Sequence, residues 1–221
     1  MNNYHNFVRI EEKQVVKRFL RKEDFVNEQK FYQIFSKHFD VARIEKIDNE
    51  SNTIFYERIR GEPLSEKEVL AGFGVEEILK IRDKVPSIKG KMIENMLTPL
   101  LPKEYIDNLL VHGDMRLDNI IVSNDGKTYL IDFEYGNYIF REFDDSYMHL
   151  SLIQKDKSKA KAYYDKVANN NDSKTKMLYG ELFFIAGVLV NPNIDVITKR
   201  RWVEIQSMVI SDLAEALNCK S

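Results

Sequence analysis

The stretch that decides the fold is VHGDMRLDNIIVSNDGKTYLIDFEYGNYIFREFDD, residues 111–145. It contains a short predicted β-hairpin, with turn residues at 124–126 between two apolar segments, and a polar loop at each end of the hairpin. Asp114 stands five residues before Asn119 in the first loop, and Asp132 follows the second strand. Because a hairpin runs out and back, we expect Asp132 to return beside Asn119.

These residue types are the ones that phosphoryl transfer needs. One carboxylate accepts the proton of the attacking hydroxyl, and further oxygen ligands hold a metal ion across the phosphates of a nucleotide. Asp114 is suited to the first role, and the side-chain oxygens of Asn119 and Asp132 are suited to the second. The spacing therefore predicts a catalytic loop and a metal-binding loop on either side of one hairpin.

The region before residue 60 has the pattern of a small sheet with one helix. Apolar and polar residues alternate over 7–11 and 15–19, which predicts two strands, and again over 42–47 and 53–57. Between these pairs, apolar residues recur at helical spacing from Asp24, which we expect to be the N-cap. The predicted order is β-β-α-β-β.

Beyond residue 60 the pattern is mainly helical. The composition changes at 60–63, and Ser65 with Glu68 predicts a capping box that opens the next helix. The predicted helices cover residues 65–84, 88–100, 103–110, 143–154, 158–168, 173–190 and 195–218. We therefore expect an α+β protein with a sheet-containing lobe at 1–60 and a helical lobe at 61–221.

Composition excludes several classes of protein. The net charge is −2 and no basic stripe is present, so we expect no nucleic-acid partner. The single cysteine, Cys219, excludes an intramolecular disulfide. No apolar run approaches the roughly 20 residues that span a bilayer, and residues 1–10 do not resemble a secretory signal. These features predict a cytoplasmic protein without a membrane span.

Residues 111–119, followed by 130–134, resemble the catalytic and metal-binding loops of the aminoglycoside phosphotransferase and choline kinase-like family. Residues 131–144 are also similar to a run found in choline and ethanolamine kinases, although Phe133 stands where those enzymes have Tyr. The resemblance is close over 111–145 and loose over 7–64. It implies a two-lobed protein-kinase-like fold, with a small antiparallel sheet in the N-lobe and a mainly helical C-lobe.

The resemblance also implies roles for individual residues. Asp114 corresponds to the catalytic base, and Asn119 and Asp132 to the ligands of Mg²⁺. Arg116 stands where protein kinases place a Lys that contacts the transferred phosphate, so it is a second catalytic candidate. Asp144 corresponds to the family aspartate that supports the catalytic loop.

ATP-binding residues are implied in the N-lobe. Lys17 resembles the strand lysine that binds the α- and β-phosphates, and Glu28 the helix carboxylate that orients it. The strand and hinge that contact adenine correspond to residues 55–64, with Glu57 and Ile59 as the contact candidates. The ordinary alternatives are an exposed strand lysine and a solvated helix glutamate.

Further residues are candidates around the acceptor and the loop. Glu134, Tyr135 and Arg141 are the substrate candidates, and the acidic residues around them would attract a cationic acceptor. His112 is expected to be structural, hydrogen-bonding within its loop.

One departure from the family is large. Residues 1–60 contain no glycine, and only 16 residues precede Lys17, so the phosphate-covering Gly-rich loop has no room. Such loops depend on residues without a Cβ to approach phosphates closely. We therefore expect a truncated N-lobe with weakened or altered nucleotide binding.

The leading hypothesis is an ATP- and Mg²⁺-dependent phosphotransferase. It would transfer the γ-phosphate to a hydroxyl of a small molecule, with choline or another amino alcohol, an aminoglycoside or a sugar as the acceptor class. One alternative is a catalytically weak or inactive kinase-like scaffold that serves as an interaction module. The other is a small atypical protein kinase or ATPase.

Overall fold

The structure is a computed structural model that describes residues 6–93, 101–191 and 194–218. Packing divides the chain into two compact units. The first comprises residues 1–74 and 116–136, and the second comprises residues 75–115 and 137–221. The lobe boundary between residues 60 and 61 that composition predicts falls inside the stretch 1–74 of the first unit, and it stays a prediction.

Strands and helices follow one another in the order expected for a mixed α+β chain. In chain order the elements are β1 (Phe7–Ile10), β2 (Gln14–Arg18), α1 (Lys22–Phe35), β3 (Asp40–Val41), β4 (Ile44–Asp48), β5 (Thr53–Glu57), β6 (Gly61–Pro63), α2 (Lys67–Ala71), α3 (Val75–Asp83), β7 (Leu109–Val111), β8 (Ile120–Ser123), β9 (Thr128–Leu130), β10 (Asn137–Ile139), α4 (Glu142–Lys155), α5 (Lys157–Val167), α6 (Asn171–Val190) and α7 (Val196–Asn218). Short 3-10 turns occur at Lys103–Tyr105 and Leu117–Asn119.

The first unit contains two small sheets. One is antiparallel with strand order β1-β2-β5-β4, and the other has the order β3-β9-β8-β6. Lys17 lies opposite Ile54 in the first sheet, so the two side chains share a face. Ile54 packs with Phe25 of α1 in one buried cluster. The helix therefore covers the face of the sheet that carries Lys17.

Helix α1 begins earlier than the sequence pattern indicated. Its first residue is Lys22, and the N-cap position is held by Arg21 in an extended conformation. The expectation that Asp24 caps the helix is wrong, because its carboxylate accepts from the Arg21 guanidinium, with Nε to Oδ2 at 2.8 Å. As an acidic residue in the first turn, Asp24 still favours the helix dipole.

The second unit is built from helices that pack on α6. Helix α6 contacts both α4 and α7, and its side chains contribute to two buried apolar clusters. The four helices predicted after residue 140 are present, each within two residues of its expected ends. Within the described ranges 6–93, 101–191 and 194–218, no helix is both long enough and apolar enough to cross a bilayer.

Three helix predictions between residues 65 and 110 differ from the structure. The helix expected at 65–84 is interrupted around Gly72 and forms α2 and α3 instead. The predicted capping box is wrong, since the N-cap of α2 is Glu66 and its side chain makes no capping hydrogen bond. Residues 103–110 form a 3-10 turn and part of β7, and β7 takes its hydrogen bonds from β10.

The helix expected at 88–100 is described only in part. Residues 88–93 are not helical, and residue 89 instead bridges to residue 109. The remainder of that prediction, residues 94–100, lies outside the described residues.

Gly136 provides a test of how tightly α1 packs in the first unit. A Cβ at this position would lie 2.2 Å from the Phe31 ring, which is fully buried. We expect Gly136→Ala to lower the free energy of unfolding by about 1–3 kcal/mol, the usual cost of overpacking. Gly72→Ala is the matched control, because its Cβ would meet only Val69 O at 3.5 Å. Urea denaturation measures both, and equal stabilities would contradict this packing.

Candidate functional site

The first unit gathers three carboxylates around one ammonium group. Lys17 Nζ lies 3.2 Å from a carboxylate oxygen of Glu28 and 2.9 Å from one of Glu134, and it also pairs with Asp132. Only 8% of Lys17 is exposed. Four residues proposed from the sequence for nucleotide, metal and substrate contacts thus meet at one point.

Strand β2 and helix α1 place the Lys17–Glu28 pair. Lys17 points to the face of the sheet that α1 covers, and Glu28 lies in the second turn of that helix. The other oxygen of Glu28 accepts a hydrogen bond from the Tyr56 hydroxyl at 2.7 Å. Both carboxylate oxygens are therefore engaged, which holds the side chain in one orientation.

Burial and charge act in opposite directions on these groups. Burial disfavours the charged ammonium, but the carboxylates of Glu28, Asp132 and Glu134 outweigh it and raise the pKa of Lys17. Burial raises the pKa of Glu28, although Lys17 opposes this. Burial and the charge of Asp132 raise the pKa of Glu134 to about 7. The ammonium is thus the group that allows three carboxylates to share this buried position.

The β8–β9 hairpin controls the position of Asp132. Ile131 N donates to Asn119 O at 3.1 Å, so the chain returns beside Asn119 just before Asp132. The backbone of Asp132 has φ +70°, in the left-handed region that few residues other than glycine adopt. Strain of this kind persists only where surrounding contacts impose it, and it is frequent at functional sites.

Aromatic packing from α1 supports the residue that follows Asp132. The Phe133 ring stacks on Phe35, with centroids 5.5 Å apart, and meets Tyr32 edge-on at 6.0 Å. Phe133 is almost fully buried. Phe133, which stands where the related kinases have Tyr, therefore places an apolar ring inside the core of the first unit.

Sequence reasoning missed two asparagines that hold the segment after Asp132. Asn27 Nδ2 donates to the backbone oxygens of Glu134 and Gly136, the latter at 3.2 Å. Asn6 Nδ2 donates to the Glu134 carboxylate, and its Oδ1 accepts from Leu20 N at 3.1 Å. The partners of Asn27 are backbone atoms more than 100 residues away in sequence, so local pattern carries no signal for them.

Metal-binding capacity in the first unit centres on carboxylates. One oxygen from each of Glu28, Asp132 and Glu134 lies within 4.8 Å of the other two. Oxygen ligands of this kind suit Mg²⁺, so the chemistry of Asp132 fits the role expected from the sequence. Asn119, which is buried, offers an amide oxygen in the same unit.

The second unit holds the predicted catalytic loop. Asp114 is only 6% exposed, and its backbone N–H donates to His112 Nδ1 at 3.3 Å. Gly113 between them has φ +82°, a conformation that a residue with a Cβ adopts only with strain. The His-Gly-Asp sequence thus forms a tight, buried turn.

Asp144 anchors this turn from the start of α4. Its two carboxylate oxygens accept from His112 N at 2.7 Å and Gly113 N at 2.9 Å. Burial raises the pKa of Asp144 to about 7, and the two backbone hydrogen bonds oppose the shift. The next residue, Asp145, is fully buried and receives two hydrogen bonds from Arg82, at 2.8 and 2.9 Å.

The remaining predicted site residues are less tightly held. Glu57 ends β5, and one of its carboxylate oxygens accepts a hydrogen bond from Arg43 N at 2.9 Å. Ile59 is partly buried and packs against the apolar cluster that contains Phe25 and Ile54. Tyr135 is 52% exposed. Arg141 contacts Asp83 Oδ1 at 3.4 Å in the second unit, and its buried Nε has no hydrogen-bond partner among the residues that the structure describes.

Arg116 is partly buried and is the first residue of the second stretch of the first unit. It immediately precedes the 3-10 turn that leads to Asn119, and its backbone oxygen accepts from Asn119 N at 3.0 Å.

Removing the central ammonium tests the charge balance of the first unit. We expect Lys17→Met to lower the free energy of unfolding at pH 7 by about 3–5 kcal/mol, because it leaves buried carboxylates without their counter-charge. Lys13→Met, at an exposed position in the same hairpin, should change stability by less than about 0.5 kcal/mol. Urea denaturation compares the two variants, and a Lys17→Met protein as stable as the control would refute the assigned charge balance.

A pH series tests the burial of Asp144. Because the pKa in the folded protein is about 7 against an ordinary 3.8, the folded state binds the extra proton between these values. Stability should therefore fall as pH rises through this window. The charges of Asp145 and Asp114 add to the effect of burial and also raise the pKa of Asp144.

The variant that isolates this effect is Asp144→Asn, which cannot ionise. Its stability relative to wild type should rise between pH 4 and pH 7 by on the order of 2–4 kcal/mol. The exposed Asp118→Asn variant should show no such trend. A pH-independent difference between Asp144→Asn and wild type would show that Asp144 is ionised throughout this range.

Comparisons with known proteins agree with this architecture. A model of the phosphotransferase enzyme family matches residues 70–158. A search of curated proteins found no significant match. Choline kinase LicA from Streptococcus pneumoniae is similar in structure, with a TM-score of 0.64 and 14% identity over 97% of this chain and 91% of that one.

Two further solved structures show the same likeness. A thermostable mutant of aminoglycoside phosphotransferase APH(4)-Ia has a TM-score of 0.62 and 11% identity over 96% of this chain and 87% of that chain. The amicoumacin kinase hAmiN, in complex with AMP-PNP, Ca²⁺ and Ami, has a TM-score of 0.54 and 11% identity over 94% and 88%.

These findings confirm the predicted resemblance and the predicted fold class, and the family match over residues 70–158 agrees with the expected phosphotransferase class. The chain therefore has the kinase-like fold of choline kinases and aminoglycoside phosphotransferases, and it resembles that family in its sequence motifs.

Proposed function

We propose that this protein is an ATP- and Mg²⁺-dependent phosphotransferase that transfers the γ-phosphate to a hydroxyl of a small molecule. The single observation that carries the proposal is the buried Lys17 ammonium held by Glu28 and Asp132. A strand lysine, a helix glutamate and a metal-loop aspartate form this constellation in kinases. Two structural neighbours were solved with nucleotides, LicA with AMP and hAmiN with AMP-PNP.

The proposed roles follow from the chemistry of each side chain. Asp114 accepts the proton of the acceptor hydroxyl while the hydroxyl oxygen bonds to the γ-phosphorus. The bond between the γ-phosphorus and the β–γ bridging oxygen breaks, and ADP leaves. Lys17 binds the α- and β-phosphates. Asn119 and Asp132 hold Mg²⁺, which when bound neutralises charge on the phosphates. Arg116 is a further candidate for contact with the transferred phosphate.

Binding of nucleotide changes the partners available to Lys17. In the structure its ammonium is shared among three carboxylates. Under the proposal, Asp132 would hold the metal ion and the phosphates would be the anionic partners of the ammonium, while Glu28 would continue to orient it. Exchange of one anionic partner for another keeps the buried ammonium neutralised at each stage.

The proposal assigns the acceptor to the small-molecule alcohols as a class. The candidates are amino alcohols such as choline, aminoglycosides and sugars, and Glu134, Tyr135 and Arg141 are the residues proposed to contact them. A screen of Mg-ATP consumption over the three classes identifies the acceptor. Autophosphorylation, or phosphate release without an added alcohol, would instead favour an atypical protein kinase or ATPase.

A non-enzymatic scaffold is the second candidate, and one observation favours it. Only residues 11–13 connect β1 to β2, and none of them is glycine. A thermal-shift measurement with Mg-ATP separates the two functions. Nucleotide at 100 times its dissociation constant should stabilise an ATP-binding enzyme by about 2.7 kcal/mol, whereas no shift at millimolar nucleotide would identify the scaffold.

Asp114→Asn tests the proposed base. The amide cannot accept the proton, so we expect kcat to fall by about 10²–10⁴-fold while the thermal shift with Mg-ATP is kept. Asp118→Asn is the matched control, since Asp118 is an exposed aspartate in the same loop. Its kcat should stay within about twofold of wild type. Unchanged transfer by purified Asp114→Asn would remove Asp114 from the mechanism.

A further inference from the structure

Helix α7 carries a row of exposed apolar residues. They are spaced by seven and comprise Val196, Val203, Ile210 and Leu217, exposed by 82%, 48%, 51% and 40%. We call this row the α7 stripe. Residues seven apart lie almost above one another on a helix, so the stripe is continuous along its length.

The stripe is separate from the face that α7 buries in its own unit. Trp202, Val209 and Ala216 are buried and belong to the cluster shared with α6. Each of the last three stripe residues follows one of these by a single position, about 100° further around the helix. Packing of the second unit therefore leaves the stripe uncovered and does not account for its apolar character.

Small residues accompany the stripe. Ser207 and Ala214 are exposed, and each lies four positions after a stripe residue, on the same side of the helix. The Ser207 hydroxyl donates to Val203 O at 3.1 Å, so it needs no partner from outside the helix. From Val203 to Leu217, large and small side chains thus alternate along this side of α7.

The charges of α7 are also unevenly distributed. Its basic residues lie at 199–201 and its acidic residues at 204, 212 and 215. The first turn has no acidic residue and the last turn has no basic residue. This distribution is the reverse of what the helix dipole favours, so it does not serve the stability of the helix itself.

An antiparallel pairing of two such helices satisfies each of these features. It places the basic start of one helix beside the acidic end of the other and opposes the two helix dipoles. With the twofold axis between residues 208 and 209, Val203 lies opposite Ala214 of the partner subunit and Ile210 lies opposite Ser207 of the partner subunit. Each of these two layers joins a large side chain to a small one, which permits close packing.

We propose that the α7 stripe is the interface of a homodimer, in which α7 pairs antiparallel with α7 of a second copy. The helix has 23 residues and is about 34 Å long. A contact between single helices of this length belongs to the small class of interfaces, below about 1,200 Å² in total. The dimer therefore dissociates on dilution, and its equilibrium is measured by sedimentation over a concentration series.

The first test places a charge in the stripe. Ile210→Asp should yield a monomer at concentrations where the wild-type protein is a dimer, because two carboxylates would be buried at the centre of the contact. Met208→Asp is the matched control, since Met208 is 68% exposed but lies outside the stripe. Circular dichroism verifies that both variants keep their helices.

The outcomes of this test are distinct. Loss of the dimer in Ile210→Asp, with an intact dimer in Met208→Asp, supports the proposal. A wild-type protein that is monomeric up to millimolar concentration overturns it. A dimer that persists in Ile210→Asp overturns it as well, because the contact would then lie elsewhere.

The second test determines the direction of the pairing. In a Cys219→Ser background, the double variant Val203→Cys/Ala214→Cys should form disulfide-linked dimers under mild oxidation, since these positions face one another in the antiparallel arrangement. The single variant Val203→Cys should not. Equal cross-linking of the single variant would indicate parallel helices and refute the proposed geometry.

Discussion

The ammonium of Lys17 organises the first unit. A buried positive charge carries a desolvation cost of several kcal/mol unless anionic groups compensate it, and here three carboxylates from two other parts of the chain do so. Glu28 comes from α1, whereas Asp132 and Glu134 come from the segment after β9. Any shift of one element leaves a charge without its partner, so the ion-pair group sets the positions of strand, helix and loop together.

Helix α1 is the common support of this arrangement. Glu28 fixes the lysine, Asn27 holds the backbone of the metal loop, and Phe31 packs against Gly136. Phe35 stacks on Phe133 from the same helix. Polar and apolar contacts from neighbouring positions of α1 therefore hold residues 132–136 together. The conformation of Asp132, with φ +70°, is maintained inside this frame.

Much of the fold could be predicted from the sequence, because the patterns behind it are local. The alternation that predicts β2 and β5 and the apolar spacing that predicts α4 to α7 need only adjacent residues. Lys17 and Glu28 could be proposed because the family resemblance implies a strand lysine followed by a helix carboxylate, and both stand in that order here. The metal-binding loop could be predicted because a hairpin of known length connects Asn119 to Asp132.

The predictions that failed depended on long-range contacts. Ser65 and Glu68 fit the sequence pattern of a capping box. However, residues 61–63 form β6 and pair with β8, and this pairing sets the path of the chain into α2. Residues 109–111 form a strand because residues 137–139 and residue 89 pair with them. Asn27 resembles any polar residue on a helix until its backbone partners are known. Asp24 has a side chain that suits an N-cap, but its carboxylate accepts a hydrogen bond from the Arg21 guanidinium instead.

The first unit is assembled from two stretches of chain that are separated by the start of the second unit. During synthesis on the ribosome, Lys17, Glu28 and Phe31 emerge well before Asp132, Glu134 and Gly136, which complete their surroundings. About 60 residues separate the end of the first stretch from the end of the second, or roughly 3–12 s of translation at about 5–20 residues per second. For that interval the nascent sheet and α1 expose a lysine–glutamate pair without its Asp132 and Glu134 partners, together with uncovered aromatic rings, which leaves the growing chain open to chaperones.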